Sequence, residues 1–265
     1  MQTIAIIGSG AIGEAVAGYL AGNEGVAIGV AVIEPGMESR ARDVYGRQVE
    51  IVTDPDDAST PVDLAVDCAG HPALRQHGEA ILSRGINLVS VSSGALADAD
   101  LYERLAAAAT RGGSQLRVVS GAIGALDALS SASVGALQHV TYRGRKPPRG
   151  WLGSPAEAKL DLESLTEATV HFSGSARSAA LEYPKNANVA ASVALAGIGF
   201  DDTIVELIAD PDATRNVHEI VAQGDFGRLE FRIEGASLPD NPRSSAITAM
   251  SVVREILNPS SPIVI

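Results

Sequence analysis

Five histidines are the side chains in this sequence best suited to proton transfer, because an imidazole titrates at about pH 6.5. Three of them, His77, His139 and His171, lie within or beside predicted helices and strands, where packing explains them. His71 follows a predicted strand in the first half of the chain, and His218 begins a predicted strand in the second half. Either one could accept a proton from an amine or alcohol while hydride leaves the neighbouring carbon, and position alone does not separate them.

Basic side chains in the second half of the chain are suited to an acidic substrate. Four are grouped in one predicted loop, where solvation explains them equally well: Arg143, Arg145, Lys146 and Arg149. Lys185 and Arg243 each precede a predicted helix, and a helix N-terminus beside a cation is a natural carboxylate site. The sequence therefore predicts Lys185 and Arg243 as substrate contacts.

A glycine-rich turn, GSGAIG at residues 8–13, lies between an apolar strand pattern and a helical pattern. Gly8 permits a tight turn, Gly10 lets a pyrophosphate approach the backbone, and Gly13 allows the helix to pack closely. The helix N-terminus then favours the phosphate charge. We therefore predict that a dinucleotide contacts this turn, at Gly8, Gly10, Ala11, Ile12 and Gly13.

An acidic residue, Glu34, ends the next predicted strand about 20 residues after the turn. Its carboxylate can accept hydrogen bonds from the ribose hydroxyls of an adenosine and would repel a 2′-phosphate. NAD is therefore favoured over NADP, although Arg40 and Arg42 lie close enough in sequence to soften that preference. A tight turn without a ligand, followed by an ordinary solvated glutamate, is the alternative explanation.

The carboxyl ends of the other predicted strands should face the same ligand, since dinucleotides bind beyond these ends of a parallel sheet. Three segments rich in small residues follow predicted strands: 68–71, 90–94 and 120–124. Small side chains let a flat nicotinamide ring approach the backbone, and Ala69 and Ser92 are the predicted contacts in the first two segments. Ordinary loop chemistry explains any single segment equally well.

The order of the elements predicts an α/β fold with two domains. Strand and helix patterns alternate through the first half, which is typical of a Rossmann-type doubly wound parallel sheet. Strand patterns dominate the second half and include a hairpin turning at residues 223–227, which predicts an α+β domain. A last helix near residues 244–257 is expected to pack back on the first domain. The predicted domains are residues 1–121 plus 241–265, and residues 122–240.

Composition excludes several classes of partner. The 265 residues carry a net charge of -12, whereas nucleic acids and anionic membranes attract positively charged proteins. The single cysteine, Cys68, cannot form an internal disulfide, and no spacing of cysteine and histidine is typical of a metal site, so we predict no metal. No apolar run is long enough to cross a membrane. A small-molecule protein of the reducing cytoplasm fits these properties.

Six segments of the sequence resemble the L-aspartate dehydrogenase family. They run in the family's order along nearly the full chain: GSGAIG (8–13), SGAIGALDA (120–128), RKPP (145–148), YPKNANVA (183–190), NVH (216–218) and NPRSSA (241–246). The first segment is common to Rossmann enzymes, whereas RKPP and PKNANVA are much more particular to this family.

The resemblance implies reversible, NAD(P)-dependent oxidative deamination of L-aspartate through iminoaspartate, which either feeds NAD biosynthesis or hydrolyses to oxaloacetate and ammonia. It also implies roles for single residues. The family's catalytic histidine matches His218, which decides between His218 and His71. The family's contacts near the nicotinamide match Ala122 and Asn188. We expect aspartate to bind in a cleft between the two domains, where His218 accepts a proton.

Two other functions remain compatible with the sequence. One is a related two-domain dehydrogenase or reductase for homoserine, dihydrodipicolinate or another amino-acid-like substrate. The other is a dinucleotide-sensing protein without turnover, which leaves the grouping of Lys185, Asn188 and His218 unexplained. In folds of this kind an exposed sheet face of the second domain commonly forms a dimer interface, so we expect a homodimer.

Overall fold

The computed structural model describes residues 1–238 and 241–263, apart from the side chains of residues 241–244 and 260. The described chain consists of two compact units. Unit 1 comprises Met1–Val119 and Thr248–Ile265, and unit 2 comprises Ser120–Ile247. In the described part of the chain, every helix is too short or too polar to span a bilayer.

Unit 1 is built on a six-stranded parallel sheet. Its strands are β1 (Gln2–Ile7), β2 (Val26–Val32), β3 (Glu50–Val52), β4 (Leu64–Asp67), β5 (Asn87–Ser90) and β6 (Leu116–Val118). They lie in the order β3-β2-β1-β4-β5-β6, and every neighbouring pair is parallel. The strand order reverses between β1 and β4, as it does in Rossmann-type sheets, and this confirms the fold class predicted for the first half.

Four helices connect the strands of unit 1: α1 (Ala11–Leu20), α2 (Glu38–Tyr45), α3 (His71–Ser83) and α4 (Ala99–Gly112). The central strands are apolar without alternation because both faces of the sheet are covered, so that Ile4, Ile6 and Val66 are fully buried. The carboxyl ends of these strands share one edge of the sheet. In sheets of this kind, ligands bind at this edge and contact the loops that follow the strands.

Unit 2 is built on a five-stranded mixed sheet. Its strands are β7 (Leu137–Lys146), β8 (Thr169–Ser175), β9 (Ile204–Ala209), β10 (Asn216–Gly224) and β11 (Gly227–Gly235). They lie in the order β11-β10-β7-β9-β8, with β7 parallel to β9 and every other neighbouring pair antiparallel. The predicted hairpin joins β10 to β11, and the second half of the chain is confirmed as an α+β arrangement.

The helices of unit 2 are α5 (Leu126–Ala132), α6 (Ala176–Glu182) and α7 (Asn188–Ala196). They pack on one another and against β7, β8 and β9. A two-stranded ribbon of β12 (Ser237–Leu238) and β13 (Asn241–Ser245) then leads to helix α8 (Ala246–Leu257). Three residues of α8 belong to the hydrophobic core of unit 1: Ala249, Val252 and Ile256.

Strand β7 alternates between the two faces of its sheet, and this corrects the predicted basic loop. Tyr142, Gly144 and Lys146 are buried, whereas Arg143 and Arg145 lie on the opposite face and are half-buried. Both arginines form ion pairs with acidic side chains of unit 2. The four basic residues grouped by the sequence therefore do not form one site, and only Lys146 faces the interior.

Candidate active site

The glycine turn of unit 1 holds the chain between β1 and α1 in a conformation open to an anion. Gly8 has a φ of +92°, and a Cβ there would lie 2.7 Å from the Cβ of Ala69, so that only glycine fits. A Cβ on Gly10 would meet nothing within 4 Å. Gly10, the N-cap residue of α1, has no side chain with which to cap the first amides of the helix. These amides and the helix dipole are therefore suited to a phosphate group.

Tyr45 of α2 fixes this turn, a role that the sequence motif did not indicate. Its Oη donates a hydrogen bond of 2.5 Å to the carbonyl oxygen of Gly8. Burial raises the pKa of Tyr45, so the phenol stays protonated and remains a donor. A Cβ on Gly13 would overlap the Tyr45 hydroxyl and lie 3.0 Å from the Gly8 carbonyl oxygen. The hydrogen bond between Tyr45 and Gly8 therefore requires glycine at position 13.

A cavity of about 280 Å³ extends from the turn across the ends of β1, β2 and β4. Four of the predicted cofactor contacts line it: Gly8, Gly10, Glu34 and Ala69. The other three residues of the turn form the start of α1: Ala11, Ile12 and Gly13. Met37, Pro72 and Ala73 add an apolar wall, which no sequence motif indicated. The uncapped amides, the acidic residue and the apolar wall fit the phosphate, ribose and base of a dinucleotide.

Arg40 is oriented toward the glycine turn. Its Nε donates to the carbonyl oxygen of Ser9 at 2.7 Å, and its Nη2 lies 3.1 Å from Glu14 Oε2. The sequence raised Arg40 as a group that could soften the repulsion between Glu34 and a 2′-phosphate. These contacts favour instead a role in steadying the turn, and they partly neutralise the guanidinium.

Asp67 links the ends of β4 and β5. Its fully buried carboxylate accepts hydrogen bonds from Ser90 Oγ at 2.7 Å, from Ser92 Oγ at 2.6 Å and from the Ala69 amide at 3.0 Å. Burial raises the pKa of Asp67 despite these donors. Because the Ser92 hydroxyl donates its proton to Asp67, its oxygen could contact a cofactor only as an acceptor.

In unit 2, His218 on β10 and Tyr142 on β7 are joined by a hydrogen bond of 2.7 Å between Nδ1 and Oη. Both side chains are buried. The strand register pairs His218 with Gly144, which lies next to Tyr142 on the same face. A Cβ on Gly144 would lie 2.7 Å from Tyr142 Oη, so this glycine leaves the space through which the phenol reaches the imidazole.

The pair of His218 and Tyr142 is uncharged at neutral pH. Burial lowers the pKa of His218 to about 3, and the positive charge of Lys146 adds to the effect. Burial raises the pKa of Tyr142. Because a phenol can donate or accept, Nε2 of His218 carries a lone pair in one tautomer and a hydrogen in the other. The imidazole can therefore accept a proton at Nε2 in one reaction direction and return it in the other.

Lys146 shares the buried face of the sheet with this pair and is only 6% exposed. Its Nζ donates to Asn186 Oδ1 at 2.8 Å and lies 4.9 Å from the centre of the Trp151 ring. Asn186 belongs to the turn before α7, in which the amides of Asn186 and Ala187 donate to the carbonyl oxygen of Tyr183. The sequence motif PKNANVA therefore presents an amide oxygen to a buried ammonium group.

The other predicted residues of unit 2 lie at separate places. Lys185 is exposed on the turn before α7, and Asn188 is the first residue of that helix. Ala122 is buried in the segment between β6 and α5. The side chain of Arg243 lies outside the described residues, and so does its predicted substrate contact.

Two further histidines have different surroundings. His71 is half-buried and begins α3. His171 is buried in unit 2, with Nδ1 lying 3.1 Å from Tyr183 Oη, and burial together with the charges of Lys159 and Lys146 lowers its pKa to about 4. Among the residues that the structure describes, no three histidine, cysteine or acidic side chains come together in a way that could hold a metal ion.

Two protein-family models match the chain. The model described as aspartate dehydrogenase, C-terminal, matches residues 127–259, which include the buried pair on β7 and β10. The model described as homoserine dehydrogenase, NAD binding domain, matches residues 8–119, which begin at the glycine turn.

Relatives of known name match over nearly the whole chain. L-aspartate dehydrogenase of Ruegeria pomeroyi is 53% identical over 94% of this chain and 90% of its own length. L-aspartate dehydrogenase of Cupriavidus taiwanensis is 48% identical over 97% of both chains. The crystal structure of aspartate dehydrogenase from Thermotoga maritima superposes with a TM-score of 0.77 at 29% identity, covering 100% of this chain and 99% of that one.

Substitutions at Gly10 and Gly13 should affect different properties of the chain, ligand binding in the first case and stability in the second. We expect Gly13→Ala to lower the free energy of unfolding by about 1–3 kcal/mol, because the added methyl overlaps Tyr45. Gly10→Ala meets no protein atom and should leave stability unchanged but weaken dinucleotide binding. Urea unfolding and titration with NAD+ by fluorescence compare the two variants. A Gly10→Ala protein with unchanged affinity for NAD+ would contradict the position that we assign to the pyrophosphate.

His218 and His171 should make the folded chain sensitive to acid. Their pKa values are lowered in the folded state, so the stability that they contribute is present above about pH 6.5 and is lost as pH falls toward 4. We expect a loss of about 2 kcal/mol per histidine between pH 7 and pH 5. Urea unfolding at both pH values measures it. Between pH 7 and pH 5, the free energy of unfolding should fall less in His218→Asn than in the unchanged chain. An equal fall in the two proteins would refute the lowered pKa of His218.

Proposed function

Since this chain belongs to the L-aspartate dehydrogenase family, we propose that unit 1 binds the nicotinamide dinucleotide and that unit 2 binds and deprotonates the amino acid. The chain is an NAD(P)-dependent oxidoreductase that acts on the CH–NH2 group of L-aspartate and yields oxaloacetate and ammonia through iminoaspartate. The names of the full-length relatives favour this activity over a homoserine or dihydrodipicolinate enzyme and over a sensor without turnover.

The dinucleotide is bound through the backbone of the glycine turn in this proposal. Gly8, Gly10 and the first amides of α1 contact the pyrophosphate, and Glu34 accepts hydrogen bonds from the adenosine ribose. Ala122 and Asn188 are the proposed contacts near the nicotinamide, on the strength of the family's motifs. When bound, NAD+ supplies the hydride acceptor. The Glu34 carboxylate favours NAD over NADP, and a lower KM for NADP+ than for NAD+ would contradict this preference.

His218 is the proposed proton acceptor, and the observation that carries this proposal is its buried, uncharged imidazole bonded to Tyr142. The α-ammonium of aspartate must lose a proton before its nitrogen lone pair can help to expel hydride from the α-carbon. Nε2 of His218 takes that proton while Nδ1–H donates to Tyr142 Oη. After Nε2 has released that proton to solvent, the same nitrogen can take a proton from the water that adds to the imine and return it to the substrate nitrogen, which then leaves as ammonia.

An imidazole with a pKa of about 3 is a weak base, and the substrate changes this. Aspartate brings two negative carboxylates into the surroundings of His218. A nearby anion favours the protonated imidazole, so the pKa of His218 rises toward the working range when substrate binds. Lys185 and Arg243 remain the carboxylate contacts predicted from sequence, although Lys185 is exposed in the free chain.

Replacement of His218 tests the proton acceptor. We expect His218→Asn to lower kcat for aspartate oxidation by about 100-fold to 10,000-fold, which is the usual contribution of a general base, while the Kd for NAD+ stays unchanged. Steady-state assays with aspartate and NAD+, and binding of NAD+ by fluorescence, provide the two readouts. Turnover in His218→Asn close to that of the unchanged chain would refute the role of His218.

Tyr142→Phe is the matched variant, because it keeps the ring and removes only the partner of Nδ1. Without the phenol oxygen, the imidazole loses the bond that selects its tautomer. A smaller loss of kcat than in His218→Asn, accompanied by a shifted pH profile, is the expected outcome. An unchanged pH profile would show that Tyr142 contributes only to packing.

A homodimer is the proposed assembly, formed through the sheet face of unit 2 opposite the buried pair. Side chains of alternating charge cross this face in one row: Arg232 on β11, Glu219 on β10, Arg143 on β7 and Glu206 on β9. Arg143 Nε lies 2.6 Å from Glu206 Oε2, and Arg232 Nη1 lies 3.5 Å from Glu219 Oε1. A second copy turned about a two-fold axis along the strands meets every charge with its opposite.

Charge reversal on this face tests the assembly. Arg143→Glu places three acidic side chains in succession along the row, and we expect it to shift the chain from dimer to monomer at micromolar concentration. Arg177→Glu on α6 is the control, because it breaks an exposed ion pair with Asp201 on another element and should leave the mass unchanged. Light scattering after size exclusion measures both variants. A monomeric unchanged chain, or equal masses for it and Arg143→Glu, would refute this interface.

A further inference from the structure

We infer that Phe231 on β11 is a positioning residue for the cofactor: its ring holds the segment of residues 120–125, and this segment places Ala122 against the nicotinamide. The inference rests on the proposed contact of Ala122 and adds to it the side chain that fixes where that contact lies. Phe231 also shares a sheet face with His218. One set of strands would therefore position both the proposed base and a contact of the hydride acceptor.

The proposed contact at Ala122 depends on where the backbone lies. Alanine carries no polar side-chain group, so only its amide, its carbonyl oxygen and its methyl group can meet a nicotinamide. No side-chain rotation can re-aim these groups. Ala122 and Ile123 are both buried, and the amide of Ile123 donates to the carbonyl oxygen of Ser120. The conformation of the segment therefore decides whether the contact is made.

Ala125 indicates that the segment is held in a conformation that it would not prefer by itself. Its φ is +60° and its ψ is +17°, and no other non-glycine residue in the described part of the chain has a positive φ. The Cβ atom makes this left-handed conformation costly, so it persists only where the surrounding structure enforces it. Residues in such conformations are concentrated at functional sites. The residues next to Ala125 are therefore expected to be held by packing.

Phe231 packs against the neighbour of Ala125. A Cβ on Gly124 would lie 2.7 Å from Cζ of Phe231 and within 3.4 Å of both Cε atoms, so the end of the ring lies directly against the backbone of Gly124. Gly124 is not in the left-handed region. The need for glycine at this position therefore comes from the close approach of the ring, and Phe231 is placed to hold the segment next to Ala125.

The strand register places Phe231 on the sheet face of the proposed base. Phe231 pairs with Ile220 on β10, and Ile220 pairs with Tyr142 on β7. His218 lies two residues before Ile220 and therefore faces the same side. The three strands thus fix both the ring of Phe231 and the pair of His218 and Tyr142. Because hydride transfer needs the base and the acceptor together, a displacement of about 1 Å in the segment can lower the rate by about 100-fold.

Phe231→Leu tests the inference, because leucine keeps an apolar side chain on β11 and removes the outer part of the ring. Phe226→Leu is the matched control, since it makes the same change at an exposed position in the turn of the same hairpin. We expect Phe231→Leu to lower kcat for aspartate oxidation by about 10-fold to 100-fold and Phe226→Leu to leave it unchanged. Steady-state assays with aspartate and NAD+ measure both variants.

Binding of two ligands separates positioning of the nicotinamide from a general loss of structure. ADP-ribose carries the pyrophosphate and the adenosine of NAD+ but lacks the nicotinamide ring. We expect Phe231→Leu to raise the Kd for NAD+ by about 2-fold to 10-fold, as for one lost hydrogen bond, and to leave the Kd for ADP-ribose unchanged. Titration calorimetry measures both. An equal rise for the two ligands, or no rise for either, would overturn the inference.

The close approach of ring and segment can be tested in the free chain. Gly124→Ala adds a methyl group that overlaps Phe231, so the ring and the segment cannot both keep their places. Hydrogen exchange measured by mass spectrometry should be faster in residues 120–126 for Gly124→Ala and for Phe231→Leu, and unchanged for Phe226→Leu. Unchanged exchange in the first two variants would also overturn the inference.

A double variant tests whether Gly124 and Phe231 act through each other. Leucine at position 231 makes room for the methyl group of Gly124→Ala, so kcat should be higher in the double variant than in Gly124→Ala alone. Losses that multiply in the double variant would mean that the two residues act independently. If Phe231→Leu does not fold, Gly124→Ala takes its place in the binding test, with the same selective loss of affinity for NAD+.

Failure of the inference is distinguishable from failure of the proposed function. If the unchanged chain bound neither NAD+ nor ADP-ribose, the proposed role of unit 1 would be refuted, and the inference with it. If the chain bound both and Phe231→Leu changed neither Kd, only the inference would fail. His218→Asn should keep the ratio of the two Kd values found in the unchanged chain, because its imidazole is not part of the segment.

Discussion

Burial of polar side chains on one face of the unit 2 sheet is the constraint on which the chemistry of this chain depends. Loss of water is the largest cause that keeps the imidazole of His218 and the phenol of Tyr142 uncharged at neutral pH. Buried polar groups are stable only when they are bonded, and these two bond to each other. The proposed base is thus neutral and oriented in the free chain.

The same principle organises the nucleotide-binding edge of unit 1, with a different division of roles. Tyr45 and Asp67 are buried groups whose hydrogen bonds fix the glycine turn and the ends of β4 and β5. In the proposed complex, the ligand contacts backbone amides of the glycine turn and Glu34 at the cavity wall. A phosphate needs hydrogen-bond donors of fixed geometry, and backbone amides that are held in place supply them without a side-chain donor. In the proposed function, unit 1 would therefore recognise its ligand through the backbone, and unit 2 through side chains.

The sequence was sufficient to predict those features that contiguous residues determine. Unbroken apolar runs and the GSGAIG turn were sufficient to predict the parallel sheet, because burial on both faces and a positive φ at Gly8 leave direct traces in composition. Tyr45 and Asp67 left no such trace, since their partners come from other elements. Lys146 could have been found: the alternation in VTYRGRK places it on the face of Tyr142, but its neighbours Arg143 and Arg145 made the segment look like a charged loop.

The alternation along β7 places consecutive residues in different surroundings. Tyr142, Gly144 and Lys146 lie on the buried face of the sheet, whereas Arg143 and Arg145 belong to the charged face on which we place the dimer. A slip of one residue in the register would exchange the two sets and bury two arginines without their acidic partners. The cost of burying two unpaired guanidinium groups opposes such a slip. In the proposed arrangement, substitution on one face of β7 would affect the site around His218, and substitution on the other would affect the proposed dimer.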